Sequence, residues 1–426
     1  GGYTDSGDAS DNAVILSNGT TFTGDLYAGY TQNGNATGNK LTLSGITAPG
    51  SVRAGYTLSG DASGTVTITD STITGDVYGG YTESGTANNS NVTIIDSTIS
   101  DSTADEYSIG SSVYAGYTRS GEASHNQVTV SGSNASIQGR VYGGYGTLDT
   151  SYNTVKLSEG AYVGDDVVGG HSAGDSATSQ NVLYNEVTVS SGSRVEGGLY
   201  GGVITEGLGT VQYNTVNLDN ASVGYDVVGG GVLLDAPTGS VENNAVNISA
   251  GTVEGSVYGG AFEYSLANDP GNSDIINNTV SLSEGAVISG SVFGGYSSGI
   301  GNAIGNEVTV SDSSQVDGDV YGGMAEGNND SNPGNASQNS VRIESGSTVG
   351  GSVYGGWNSN GETTGNFIYV NGTVSGGVTA GYTLSGDAAG NEVLVEGGVL
   401  FSTTCTAATR HSAAPQATWS RLRAAR

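Results

Sequence analysis

Five aspartates, Asp25, Asp76, Asp166, Asp226 and Asp319, recur immediately before an apolar pair such as Val77-Tyr78 or Val167-Val168. Carboxylates held about 5 to 10 Å apart can hydrolyse glycosides, so an acid-rich stack of this kind is the first place to seek catalysis. Their repetition argues otherwise. An active site is one unusual place, whereas these five share one repeated setting, and they read as solvated turn residues. Elimination chemistry on a polysaccharide would also need a cationic base, and the first 400 residues hold only Lys40, Arg53, Arg119, Arg140, Lys156, Arg194 and Arg342, scattered singly.

The other chemistry-bearing residues point the same way. His125 and His171 have no cysteine partner and no metal-ligand spacing, which makes each a loop or corner residue. Serine and threonine abound without a Gly-x-Ser-x-Gly elbow. The nonapeptide that builds calcium ladders is not repeated. No catalytic, cofactor-binding or metal-ligating residue is therefore expected, and no cofactor.

Aromatic residues supply the one pattern suited to binding. Tyr78, Tyr114, Tyr142, Tyr200, Tyr258, Phe293, Tyr321 and Tyr354 share one repeat position with Tyr27, and Tyr3, Tyr30, Tyr56, Tyr81, Tyr117, Tyr145, Tyr296, Trp357 and Tyr382 share another. In register each set forms a column. Two readings stand: rings that stack for stability, or an exposed stripe that docks sugar rings or protein partners. Tyr78 has the opposite parity to Val77 and points outward on a straight strand, unless a bend at the following glycines reverses it.

These positions are defined by a repeat. A Gly-Gly or Ala-Gly pair recurs about every 29 residues, in about fourteen copies, with its second glycine at positions such as 2, 80, 202 and 381. A second landmark, Asn-x-apolar-x-apolar, begins at Asn12, Asn39, Asn126, Asn153, Asn185, Asn214, Asn244, Asn278, Asn306, Asn339, Asn366 and Asn391, with Gly64 and Ser90 in the two remaining copies. From the asparagine to the next glycine pair the interval is 15 to 18 residues in all but the copy carrying an insert around 101–111. In the other direction it runs from 9 to 18. One half of the unit is held by stacking, and the other accepts insertion near 171–184, 261–277 and 324–338.

The alternation in Val246-Asn247-Ile248 is that of a half-buried strand. Strands of five residues cannot bury a core alone, but stacked copies can. The expected fold is all-β: a single-stranded parallel β-helix, a right-handed β-solenoid of about 14 coils of about 29 residues, each with two or three strands, over residues 1–400. The repeated asparagines share parity with the inward valines, so they form a structural ladder whose amides bond along the stack. The glycine pairs mark corners where side chains would clash or φ is positive.

Composition sets the surroundings. Forty-one acidic residues against eleven cations repel nucleic acid and anionic lipid, and the same charge keeps strand-rich bodies apart. The repeats contain no cysteine, so stacking must supply stability. The chain opens mid-repeat, as a fragment or processed piece would.

Units such as Gly75-Asp76-Val77-Tyr78-Gly79-Gly80-Tyr81-Thr82, followed by Ser-Gly-x-Ala and Asn-x-Val-x-Val, resemble the passenger-domain repeats of Gram-negative autotransporters, over residues 1–400. The resemblance implies a right-handed β-helix exported across the outer membrane, tethered there by a C-terminal β-barrel lying outside this sequence. It further implies adhesive or spacer function at the cell surface or after secretion. Expected partners are glycans or proteins of host or neighbouring cells, or further copies of the chain, with many weak contacts acting together. A β-helix carbohydrate-active enzyme and a purely structural self-associating rod are the alternatives.

Residues 401–426 break the pattern. They hold Cys405, no acid and no glycine. Dropping two nucleotides at Thr403 to Thr409 lets the codons spell Asp-Val-Tyr-Gly-Gly-Tyr-Thr, the repeat's own signature. This segment is expected to be a frameshifted read of a further repeat, disordered, and Cys405, His411 and Trp419 carry no role.

Overall fold

A computed structural model describes all residues except 21, 102–109, 176–177, 234–237, 264–271, 327–333, 397–404, 408, 411–420 and 425–426. The chain is a parallel β-solenoid of the right-handed type, with about 13 turns of about 28 residues and no helix among the described residues. It forms two compact units, 1–203 with 220–222, and 204–219 with 223–426.

In the first unit the glycine-pair strands Val77–Thr82, Val113–Thr118, Val141–Gly146 and Val167–Ala173 pair in parallel, one per turn, and Gly80, Gly116, Gly144 and Gly170 stand in register. The asparagine-led strands Asn91–Ile95, Gln127–Ser131, Thr154–Ser158 and Glu186–Ser190 form a second parallel sheet, with Val92, Val128, Val155 and Val187 aligned. Two-residue strands such as Thr98–Ile99 and Ser136–Ile137 make a third. The second unit repeats this plan, for instance in Val257–Glu263, Val292–Ser297 and Val320–Ala325.

The alternation does its expected work. Val92, Ile94, Val128, Val130, Val155 and Leu157 are fully buried, and so are the valines that open each glycine-pair strand. Each such side chain withdrawn from water contributes about 1.5–3 kcal/mol, and none could do so without the turns above and below it. Three buried threonines of the glycine-pair strands are bonded between turns as well: Thr57, Thr82 and Thr118 each donate from Oγ1 to a glycine carbonyl of the preceding turn at 2.8–2.9 Å.

The glycine pairs are not at corners and do not have positive φ. They lie inside strands, and what they supply is clearance. A Cβ on Gly260 would stand 2.5 Å from Asn278 Nδ2, and one on Gly323 would stand 2.4 Å from Asn339 Cγ. The true left-handed corners fall elsewhere, one of them on the residue before the asparagine place in every copy but that of Gly64: Asn89, His125, Tyr152, Tyr184, Asn243 and Asn277 have φ of 54–60°.

The insertion-tolerant half closes into strands of its own, Ser179–Leu183 in the first unit and Thr238–Glu242 and Asn272–Ile276 in the second. The variable segments near 101–111, 171–184, 261–277 and 324–338 lie partly outside the described residues. Within 401–426, Cys405–Thr406, Thr409–Arg410 and Arg421–Ala424 form short strands that pair with Val378–Thr383 and Glu392–Val395; most of the rest lies outside the described residues.

Candidate functional site

The twelve asparagines form the expected ladder. All but the half-exposed Asn12 are fully buried. In the second unit Asn278 is representative. Its Oδ1 accepts two bonds from Asn244, from the backbone amide and from Nδ2, each at 2.9 Å. Its own amide and Nδ2 donate to Asn306 Oδ1 at 3.0 and 3.1 Å, and the second Nδ2 hydrogen goes to the Val241 carbonyl at 2.9 Å. Every polar atom of the side chain is used. Asn339, Asn366 and Asn391 continue the ladder in the second unit, and Asn126, Asn153 and Asn185 form it in the first. At Gly64 and Ser90 it narrows: the Gly64 amide donates to Ser90 Oγ at 3.3 Å, and the Ser90 amide to Asn126 Oδ1 at 2.9 Å.

The recurrent aspartates are bonded, not merely solvated. Oδ1 of Asp25, Asp76, Asp166, Asp226 and Asp319 accepts a backbone amide from the following turn, at Ser51, Ser112, Gly198, Ser256 and Ser352, over 2.6–3.0 Å. On three of them Oδ2 accepts a phenol, from Tyr27, Tyr78 and Tyr321, at 2.9–3.1 Å. Burial alone would raise the Asp25 carboxyl, but Arg53 and the Ser51 amide outweigh it and hold the group below its ordinary range. Among the described residues no three His, Cys, Asp or Glu gather as a metal site.

Both aromatic columns exist, and they pack on each other. Tyr78, Tyr114 and Tyr142 stack at 5.0 Å in the first unit, and Tyr258, Phe293, Tyr321 and Tyr354 at 4.9–5.0 Å in the second. Val168 and Val228 occupy the equivalent position and end these runs. The second column, Tyr3, Tyr30, Tyr56, Tyr81, Tyr117 and Tyr145, stacks at 4.9–5.1 Å. Its rings meet those of the first edge to face, as Tyr81 meets Tyr78 at 5.3 Å. Mutual cover leaves Tyr78 only 7% and Tyr142 only 4% exposed. Burial pushes the phenols of Tyr27, Tyr142 and Tyr258 up to about 12.

Two basic residues are built into this face. The Arg53 guanidinium lies 5.1 Å from the Tyr78 ring centroid and 2.8 Å from Asp25 Oδ2, and Arg140 Nε lies 3.0 Å from Asp165 and 3.4 Å from Asp166. His171, expected in a loop or corner, is instead within strand Val167–Ala173, in the place of the next column tyrosine and 4.8 Å from Tyr145. Burial, aided by Arg140, lowers its pKa to about 4.

A third aromatic run escaped the repeat reading. His125, Tyr152 and Tyr184 occupy the left-handed corner before the asparagine and stack at 4.9 and 5.1 Å. Unlike the two columns beyond their exposed end residue Tyr3, it is open to solvent, with Tyr152 49% and Tyr184 47% exposed. The signal was present, an aromatic directly before Asn153, Asn185 and Asn214, but the corner position is otherwise filled by unrelated residue types. No protein-family model, curated protein or solved structure matches this chain.

Proposed function

We propose that this chain is a surface-exposed or secreted segment, similar to an autotransporter passenger, that acts as an adhesin or cell-surface spacer and does no catalysis. The observation that supports this most is where the polar chemistry goes. The asparagine amides and recurrent carboxylates, the groups most able to act on a substrate, are engaged in bonds between successive turns. The sequence variation is then left to corners and insertions, where it leaves the stack intact. A charge of −30 suits a body that must remain apart from its neighbours while exposed. Partners in this reading are glycans or proteins on other cells, met by repeated weak contacts, with self-association as a further mode.

The reading is tested by measuring retention of the purified chain on immobilised cell-surface glycans and on intact cells. Multivalent presentation on beads should raise retention at least tenfold over the single chain. Equal retention of both, or turnover of a polysaccharide in the same samples, would reject it. The place to look for such turnover is Arg140 with Asp165 and Asp166, where two acids and a cation meet.

A further inference from the structure

The corner before the asparagine place is left-handed in every copy but that of Gly64, and most turns fill it with residues that accept this conformation readily, such as Gly38, Asn89, Asn277 and Gly365. Tyr152 and Tyr184 adopt it at φ of 59° and 56°, against the steric preference of a bulky residue. They gain little from burial in return, since about half of each remains in water. What the placement achieves is juxtaposition. Residues 32 positions apart are brought to a ring separation of 5.1 Å with planes 13° apart, so equivalent atoms of the two phenols lie one turn from each other.

We infer that Tyr152 and Tyr184 form an oxidative cross-linking site, at which a one-electron oxidant joins the two rings into dityrosine and staples consecutive turns of the first unit. Each phenol gives one electron to the oxidant and its O–H proton to water, leaving a ring radical. The radicals couple through their ortho carbons, forming one C–C bond. The two ortho hydrogens then move to the oxygens as the rings regain aromaticity. The sum is loss of two electrons and two protons, matched by two equivalents of oxidant. Exposure admits the oxidant, and stacking makes the partner radical a neighbour instead of another molecule. His125 covers the other face of Tyr152 at 4.9 Å and cannot couple in this way, so this part of the run yields a single bridge. The two columns stack at similar distances but, apart from the exposed end residue Tyr3, shield their phenols, Tyr78 and Tyr142 most of all. The inference does not depend on the adhesive reading.

The sequence makes the test direct, because Arg140, Lys156 and Arg194 separate the two tyrosines into tryptic peptides 141–156 and 157–194. The full chain, dilute, is photo-oxidised with a ruthenium tris-bipyridyl and persulfate couple until Tyr225 reacts. Tyr225 is the internal control, 68% exposed with no ring beside it among the described residues. After digestion the two peptides are expected to remain joined, lighter by two hydrogens, at a yield at least fivefold above any bridge through Tyr225. Tyr152→Phe and Tyr184→Phe should each abolish the joined species while circular dichroism stays unchanged. Its absence once Tyr225 is oxidised, or its persistence in both folded variants, would overturn the inference.

Discussion

The asparagine ladder and the aromatic columns run side by side with the same turn-to-turn spacing, yet they tolerate change very differently. In the second unit the ladder is unbroken through Asn214, Asn244, Asn278, Asn306, Asn339, Asn366 and Asn391. Over the same turns the outer column passes through Val228, Tyr258, Phe293, Tyr321, Tyr354 and Thr379. An amide in the ladder accepts from one neighbour and donates to the other, so a replacement orphans buried groups on both sides. A ring offers its neighbours contact without direction, and at a partly wet face water can take over what a smaller side chain gives up. Directionality, not burial alone, keeps the ladder unbroken over these turns.

The sharpest way to break this contrast is Asn278→Ala. It deprives the Asn244 amide and Nδ2 of their acceptor and removes one donor each from Asn306 Oδ1 and the Val241 carbonyl. A loss of about 3–5 kcal/mol is expected in denaturant unfolding. A loss under about 1 kcal/mol would show that the ladder repairs itself. Gly260→Ala attacks the same amide sterically, with a Cβ 2.5 Å from Asn278 Nδ2, and should lower stability by about 1–3 kcal/mol. Were it neutral, clearance would not be why glycine stands there.

The aromatic face is next in expected effect. His171 titrates near 4 in the fold against a reference value of 6.5, so the unfolded chain takes up a proton that the folded chain resists. Its contribution is complete above pH 6.5 and is lost as pH falls towards 4, about 1–2 kcal/mol once the water still reaching the ring is allowed for. His171→Tyr, which restores the column residue, should flatten the melting temperature over that window. An equal slope in both proteins would place the acid sensitivity elsewhere. Tyr321→Phe should change least: it loses the 3.1 Å bond to Asp319 but keeps both ring stacks, and Asp319 retains the Ser352 amide. About 0.5–1.5 kcal/mol is expected in thermal unfolding, and a loss as large as that of Asn278→Ala would erase the contrast.

Much of this was legible in the residues themselves. The fixed interval from Asn278 to Gly295 and the alternation through Val280 and Leu282 specify a strand that must stack, and a recurring asparagine on the inward parity specifies a bonded column. The glycine pairs were harder to read, because a glycine at a corner and a glycine giving room to a neighbour look alike in a sequence. His171 was similarly opaque: a lone histidine shows no kinship with Tyr145 until the register places it in the same column. The Tyr152 and Tyr184 pair was legible only as an aromatic placed before Asn153 and before Asn185; that the two rings meet follows from the stacking of their turns.

Period, inward residues and the identity of the ladder are local properties repeated along the chain, and the sequence by itself determined them, because each copy meets the same requirement to bury a strand that cannot be buried alone. Tertiary structure alone decided which side chains touch. Contacts here are made between turns, and the number of residues separating two touching groups depends on the insertions between them, 27 from Asn126 to Asn153 but 34 from Asn244 to Asn278. Stacking therefore converts variable chain distance into constant spatial distance, and a single amide, ring or carboxylate acquires its partner only when that conversion is complete.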